Sequence, residues 1–141
     1  NEVKLCDFGW CVETSMGERQ TFCGTYEYMS PEIVNDEKYD TCIDIWSLGV
    51  LLYEMTHGYS PFRAHQRGAE EYKEIFDNIN AGKLNIEKKL LLSDECKDMI
   101  LQLLCPEKSK RIKAGDIFHH PWVKKYEKIL KKRKGKEGRY R

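Results

Sequence analysis

No pair of cysteines in this sequence has C-x-x-C spacing, although six occur, at positions 6, 11, 23, 42, 96 and 105. No histidine set completes a zinc-ligand pattern around them, which argues against a zinc module. The sequence also lacks a secretory signal, so the thiols are expected to be free, in a reducing compartment, cytoplasmic or nuclear. Long apolar runs are missing too. The strongest is Val50 to Tyr53, far short of the roughly 20 residues that span a bilayer. There is no internal repeat, and only one candidate strand. The chain opens on Asn1-Glu2-Val3-Lys4-Leu5, without Met, and is expected to be excised from something longer.

What is present suits one globular domain with a real core: 141 residues, 40% hydrophobic and 33% charged. The net charge of +1 hides an asymmetry. Residues 124–141 carry ten Lys/Arg against two Glu, whereas residues 1–123 are net −7. Such a basic tail reads first as a solvated, disordered extension. A docking role toward nucleic acid, anionic lipid or an acidic partner is the alternative.

Along the chain, Val3-Lys4-Leu5-Cys6 alternates like a short strand, broken by Asp7-Phe8-Gly9. Residues 13–30 show no period of 2 or 3.6, which predicts a long functional or disordered loop. From Ile43 to Met55, apolar residues cover every face of a helix, the pattern of a buried central helix ended by Gly58 and Pro61. Between Glu70 and Asn80, Tyr72, Ile75, Phe76 and Ile79 fall at i, i+3, i+4 and i+7, an amphipathic helix stopped by Gly82. Ser93 is a good N-cap, with Asp94 and Glu95 in the first turn and Cys96, Met99, Ile100, Leu103 and Leu104 as the inner stripe. Pro106 ends that helix. A short helix is predicted over Ala114 to His119, closed by Pro121. The expected class is mainly α.

Four motifs stand in order: Asp7-Phe8-Gly9, Ser30-Pro31-Glu32, Asp44-Ile45-Trp46-Ser47-Leu48-Gly49 on the apolar helix, and Arg111 before His120-Pro121-Trp122. This series resembles the second half of a eukaryotic protein kinase domain over residues 2–123. The resemblance implies the helical C-terminal lobe of the kinase fold over 1–123, followed by a basic tail over 124–141. Trp10 after Asp7-Phe8-Gly9 is similar to Aurora kinases, and Thr21-Phe22-Cys23-Gly24-Thr25 resembles the activation segment of Aurora and AGC-type kinases. AGC-type and Polo-like kinases are the alternatives, since Tyr53-Glu54-Met55-Thr56-His57-Gly58-Tyr59-Ser60-Pro61-Phe62 fits more than one group. The Gly-rich loop, the strand Lys, its Glu partner and the catalytic loop with the base do not occur in the sequence. Their order in kinases puts them before residue 1, so the chain alone is expected to be inactive and to need the N-terminal lobe.

The resemblance implies the following roles. Asp7 holds Mg²⁺ bridging the phosphates of ATP, Phe8 packs inward to set the active state, and Gly9 gives backbone freedom. Thr21 is the activating phosphosite, where a phosphate can pair with Arg and order the loop. Arg19 two residues earlier makes an Arg-x-Thr target, which suggests self-phosphorylation; an unmodified loop Thr is the alternative. Thr25 hydrogen-bonds the catalytic Asp, or is a simple turn hydroxyl. Phe22, Tyr26 and Met29 line the pocket for the residue after the target hydroxyl. Glu32 and Arg111 form a buried ion pair between the activation segment and the helical lobe. Asp44 receives backbone N–H groups from the catalytic loop, or simply faces the helix dipole. Glu54 reads a substrate Arg two residues before the target, or forms an internal ion pair, because a carboxylate on an apolar helix needs a partner.

Cys6 is read as a small core residue or as a thiol near the nucleotide. Trp46 and Trp122 read as core aromatics, and His119 and His120 as cap and packing residues rather than metal ligands. The implied partners are protein substrates with Arg before the target Ser/Thr, and an activator protein. A pseudokinase or truncated scaffold is the competing reading.

Overall fold

The structure, a computed structural model, describes residues 3–9, 11, 25–65, 68, 70–86 and 91–137, the side chains of 132–137 excepted. Its elements are a 3-10 turn at Tyr26–Tyr28 and six helices: α1 (Pro31–Val34), α2 (Cys42–His57), α3 (Glu71–Ala81), α4 (Asp94–Leu103), α5 (Ala114–Ile117) and α6 (Pro121–Glu137). Among the described residues no strand forms. Val3 and Leu5 stand 95% and 86% exposed, so the alternation of Val3 to Cys6 has no neighbouring strand to pair with.

Helix α2 is the spine. Trp46, Val50 and Tyr53 project into the main core with Phe62, Ile75, Ile79, Cys96, Ile100 and Leu104. The Trp46 ring stacks on Phe62, centroids 5.2 Å apart. Gly49 is required at the crossing of α2 and α4. A Cβ there would lie 2.8 Å from Leu103 and Leu104 side-chain atoms, closer than packed carbons tolerate. Gly58 closes α2 in the left-handed conformation, its N–H donating to the Glu54 carbonyl.

Helix α3 buries Ile75 and Ile79, while Tyr72 remains at the surface. Gly82 ends it with φ +57, and its missing Cβ leaves room for Pro106, which would otherwise lie 2.3 Å away. Ser93 Oγ accepts the Cys96 N–H at 3.3 Å, capping α4 as the sequence suggests. The buried stripe of α4 is Cys96, Met99, Ile100 and Leu103, with Leu104 just beyond its end.

Two expectations fail here. The all-round burial of α2 is not observed: Leu48, Leu51 and Met55 are 42%, 44% and 76% exposed. One face of an apolar helix is therefore uncovered. The basic segment after residue 123 is not an irregular extension either. Pro121 opens α6 rather than closing the helix before it, a position proline favours, and α6 continues through Glu137. Among the described residues no helix is long and apolar enough to cross a membrane.

Candidate functional site

The segment Thr25 to Glu32 lies across α2 and α3 and brings several of the sequence-selected residues together. Its anchor is Glu32 with Arg111. Their side chains are 3% and 1% exposed, and Arg111 Nη2 sits 2.8 Å from Glu32 Oε1. The rest of the guanidinium is spent on backbone carbonyls: Nε donates to Cys105 at 3.0 Å, Nη1 to Cys42 at 3.0 Å and Nη2 to Pro106 at 3.3 Å. Its carbon lies 5.1 Å over the Trp46 ring. Arg111 thus joins the start of α2, the end of α4 and the α1 segment through one planar fork, a task Lys cannot perform. Glu32 Oε1 also accepts weakly from the Cys42 thiol at 3.8 Å, while Oε2 has no partner.

Cys42 is held on both sides by acids. Burial and the Asp40 carboxylate raise its thiol to about 11, so it stays protonated. Asp40 is drawn down to about 2 by hydrogen bonds from the Cys42 thiol and backbone N–H, with Lys108 at 3.2 Å adding to the effect. This clip fixes the first turn of α2 beside the ion pair.

Farther along α2, Glu54 faces Tyr28. The Tyr28 hydroxyl donates to Glu54 Oε2, and the Tyr28 carbonyl accepts from Ser47 Oγ at 3.3 Å. Burial, followed by the Glu54 hydrogen bond and charge, raises the Tyr28 phenol to about 12. Among the described residues Glu54 makes no ion pair, and its partner there is the Tyr28 hydroxyl. Sequence reasoning missed Tyr28. The signal was the carboxylate itself, which needed a partner on an apolar helix, but only the tertiary fold supplies that partner's identity.

The other selected residues are dispersed. Tyr26 lies at the surface with its ring 4.5 Å from Tyr72 and 6.1 Å from Phe76. Met29 is buried with Ile33 and Tyr39 and supports the segment from below. Thr25 is exposed, and its side chain makes no capping hydrogen bond to the 3-10 turn. Asp44 is exposed as a residue, yet protein atoms crowd its carboxyl and raise it above the ordinary range, against the pull of the helix dipole. Phe8 is 65% exposed and Cys6 is exposed, so neither packs inward. Thr21 and Phe22, with Arg19 and Trp10, lie outside the described residues. His120 is buried, with Nε2 3.0 Å from Asp98, and its Nδ1 accepts the Trp122 N–H; His119 Nδ1 lies 3.0 Å from the Gly115 carbonyl.

Asp7 is exposed, with φ 61, and Oδ1 accepts the Gly9 N–H at 3.4 Å. Among the described residues no three His, Cys, Asp or Glu side chains cluster as a metal site. A lone, hard carboxylate oxygen still fits Mg²⁺ as one ligand, because that ion keeps waters and takes phosphate oxygens for most of its shell.

A family comparison covers the residues that carry this arrangement, a Pro-Glu segment clamped by an Arg onto a central helix. Residues 1–123 fit the family described as protein kinase domain, and the chain belongs to that family. Within it the chain is Aurora-like. An Aurora kinase of Dictyostelium discoideum is 41% identical over 125 residues, 89% of this chain and 31% of that protein. Serine/threonine-protein kinase Aurora-2 of Arabidopsis thaliana is 38% identical, covering 86% of this chain and 41% of the relative. Aurora kinase B of Danio rerio is 37% identical, covering 87% and 36%. The chain therefore spans about a third to two fifths of the length of these relatives.

Proposed function

We propose that this chain is the helical-lobe part of a Ser/Thr protein kinase that moves the γ-phosphate of ATP to protein hydroxyls, selecting Arg two residues before the target. The observation that carries the reading is the kinase-family match over residues 1–123 together with Aurora kinases among the relatives. In the transfer, the substrate oxygen bonds to the γ-phosphorus, ADP leaves, and the hydroxyl proton passes to a carboxylate base. Kinase order puts that base upstream of Asp7. Asp7 would hold Mg²⁺ through one carboxylate oxygen, and the ion would neutralise charge on the phosphates. The open face of α2, with Leu48, Leu51, Met55 and Asp44, is where we place the rest of the kinase domain. Backbone N–H groups arriving there would favour the Asp44 carboxylate and oppose the upward shift that burial imposes.

Glu54 is the group we assign to the substrate Arg. Tyr28 occupies Oε2, which leaves Oε1 for a guanidinium. The test compares two peptides, one with Arg and one with Ala two residues before the target Ser, in labelled-phosphate transfer by the complete protein. A charge-assisted pair contributes about 1.5–3 kcal/mol, or roughly 10–150-fold in kcat/KM. Glu54→Gln should remove that preference and leave turnover of the Ala peptide unchanged. An equal loss on both peptides would make Glu54 a structural residue, and no transfer to either by the unmutated protein would remove the kinase reading.

A further inference from the structure

The two arginines whose side chains the structure describes are used differently. Arg111 directs its fork at Glu32 and three carbonyls. Arg63 is exposed and makes no ion pair or side-chain hydrogen bond among the described residues. Its position is nonetheless held. The guanidinium carbon lies 3.9 Å over the Tyr59 ring. Tyr59 in turn meets Tyr53 and His57 edge-on, each at 6.1 Å, in the last turn of α2. The backbone beneath is pinned to α3: Asn78 Nδ2 donates to the Arg63 carbonyl at 3.4 Å, and Glu74 Oε1 accepts the His65 N–H at 3.1 Å. Phe62, the preceding residue, is fully buried.

We propose that Arg63 is a specificity-determining residue that takes an acidic group, a carboxylate or a phosphate, lying within a few residues of the substrate Arg. The inference rests on the assignment of Glu54 to that Arg. Glu54 and His57 are three residues apart on α2, so they share a side of the helix, and Tyr59 lies against His57. The carboxylate and the guanidinium therefore stand at the same end of α2 with opposite sign. A ring beneath a guanidinium occupies its face and leaves the in-plane N–H donors for an oxyanion. Glu74, the acid that touches this loop, is taken by His65 Nδ1 at 2.8 Å. Residues 1–123 are net −7, so an unpaired Arg among them is a local reversal of charge. Holding the side chain in place before the substrate arrives lowers the ordering cost of the contact. Arg63 also repels a second Arg beside the first, so the substrate class is mixed in charge rather than polybasic.

The test uses the complete protein and peptides with Arg two residues before the target Ser. Each position within about four residues of that Arg, the target excepted, carries in turn Ala, Glu, phosphoserine or Lys. Transfer of labelled phosphate gives kcat/KM, and anisotropy of fluorescent peptides gives Kd without any transfer. The expected result is at least one position where Glu improves both about threefold or more over Ala, and where Lys worsens them. Phosphoserine should exceed Glu there, having nearly two charges; a gain with phosphoserine alone would assign the site to phosphate. Arg63→Gln should abolish the difference, Arg63→Lys should keep part of it, and Arg63→Glu should transfer the preference to Lys, a reversal that a structural role does not produce. Thermal midpoints should stay at the wild-type value because the side chain is exposed. Absence of an acidic preference at every position overturns the proposal, as does a preference that survives Arg63→Gln or that Arg63→Glu fails to reverse. Loss of the Arg preference with the acidic preference intact would instead remove the Glu54 assignment alone.

Discussion

Removing Arg111 should be the most damaging single change in this lobe. The side chain is 1% exposed and its partner Glu32 is 3% exposed. Arg111→Ala strands a carboxylate whose remaining contact is a weak thiol hydrogen bond from Cys42, and frees the carbonyls of Cys42, Cys105 and Pro106. Breaking one side of a buried pair costs about 3–5 kcal/mol, mainly because the surviving charge is unpaired. In a kinase domain of ordinary size this corresponds to a thermal midpoint roughly 6–20 °C lower. Arg111→Lys keeps the charge but loses the fork, and should fall between. The assay is a double-mutant cycle in the complete protein, by calorimetry or urea unfolding. Glu32→Gln alone should cost less than Arg111→Ala, and the combination less than the sum. Strict additivity, or a cost of Arg111→Ala below about 1 kcal/mol, would refute the reasoning, since either would mean that the pair is not coupled.

Three further outcomes are expected. Tyr28 should resist ionisation, titrating near 12 rather than 10 by ultraviolet absorbance. The stability it contributes is complete below pH 10 and lost as pH rises through 12; a normal titration would contradict the Glu54 contact. Asp40, depressed from 3.8 to about 2, should make the protein lose stability as pH falls through that window, and Asp40→Asn should flatten the curve between those values. Thr21→Ala should lower the activity of the complete kinase by about tenfold or more, with Thr21→Glu rescuing only part, because a carboxylate has one charge where phosphate has nearly two; equal activity would remove Thr21 as the switch.

Much of this fold is legible in the sequence because apolar period reports packing. Tyr72–Ile79 and Cys96–Leu104 read as helices, and the structure bounds them with the Gly82 and Ser93 caps that the sequence names. Reading fails where a neighbour decides. Val3 to Cys6 alternates correctly but has no strand to pair with among the described residues, and Phe8 lies exposed. The apolar circumference of α2 suggests full burial, yet what covers Leu48, Leu51 and Met55 is not among the described residues. The basic run after residue 123 reads as unstructured because like charges repel. Lys and Arg are nonetheless good helix formers, and the Trp122–Leu130 stripe supplies an anchored start. Site residues follow the same rule. Glu54 announces its need for a partner, but Tyr28 becomes visible only when the loop lies across α2.

The central claim is that this lobe serves phosphate transfer through Asp7 and needs upstream kinase elements to do so. The measurement is Mg²⁺-dependent transfer of labelled γ-phosphate to an Arg-x-Ser peptide by three preparations: the complete protein, the complete protein carrying Asp7→Asn, and residues 1–141 alone. The account predicts turnover by the first, with loss of orders of magnitude in the second and none in the third. Full activity of the Asp7→Asn protein, or robust metal-dependent turnover by residues 1–141, would contradict it.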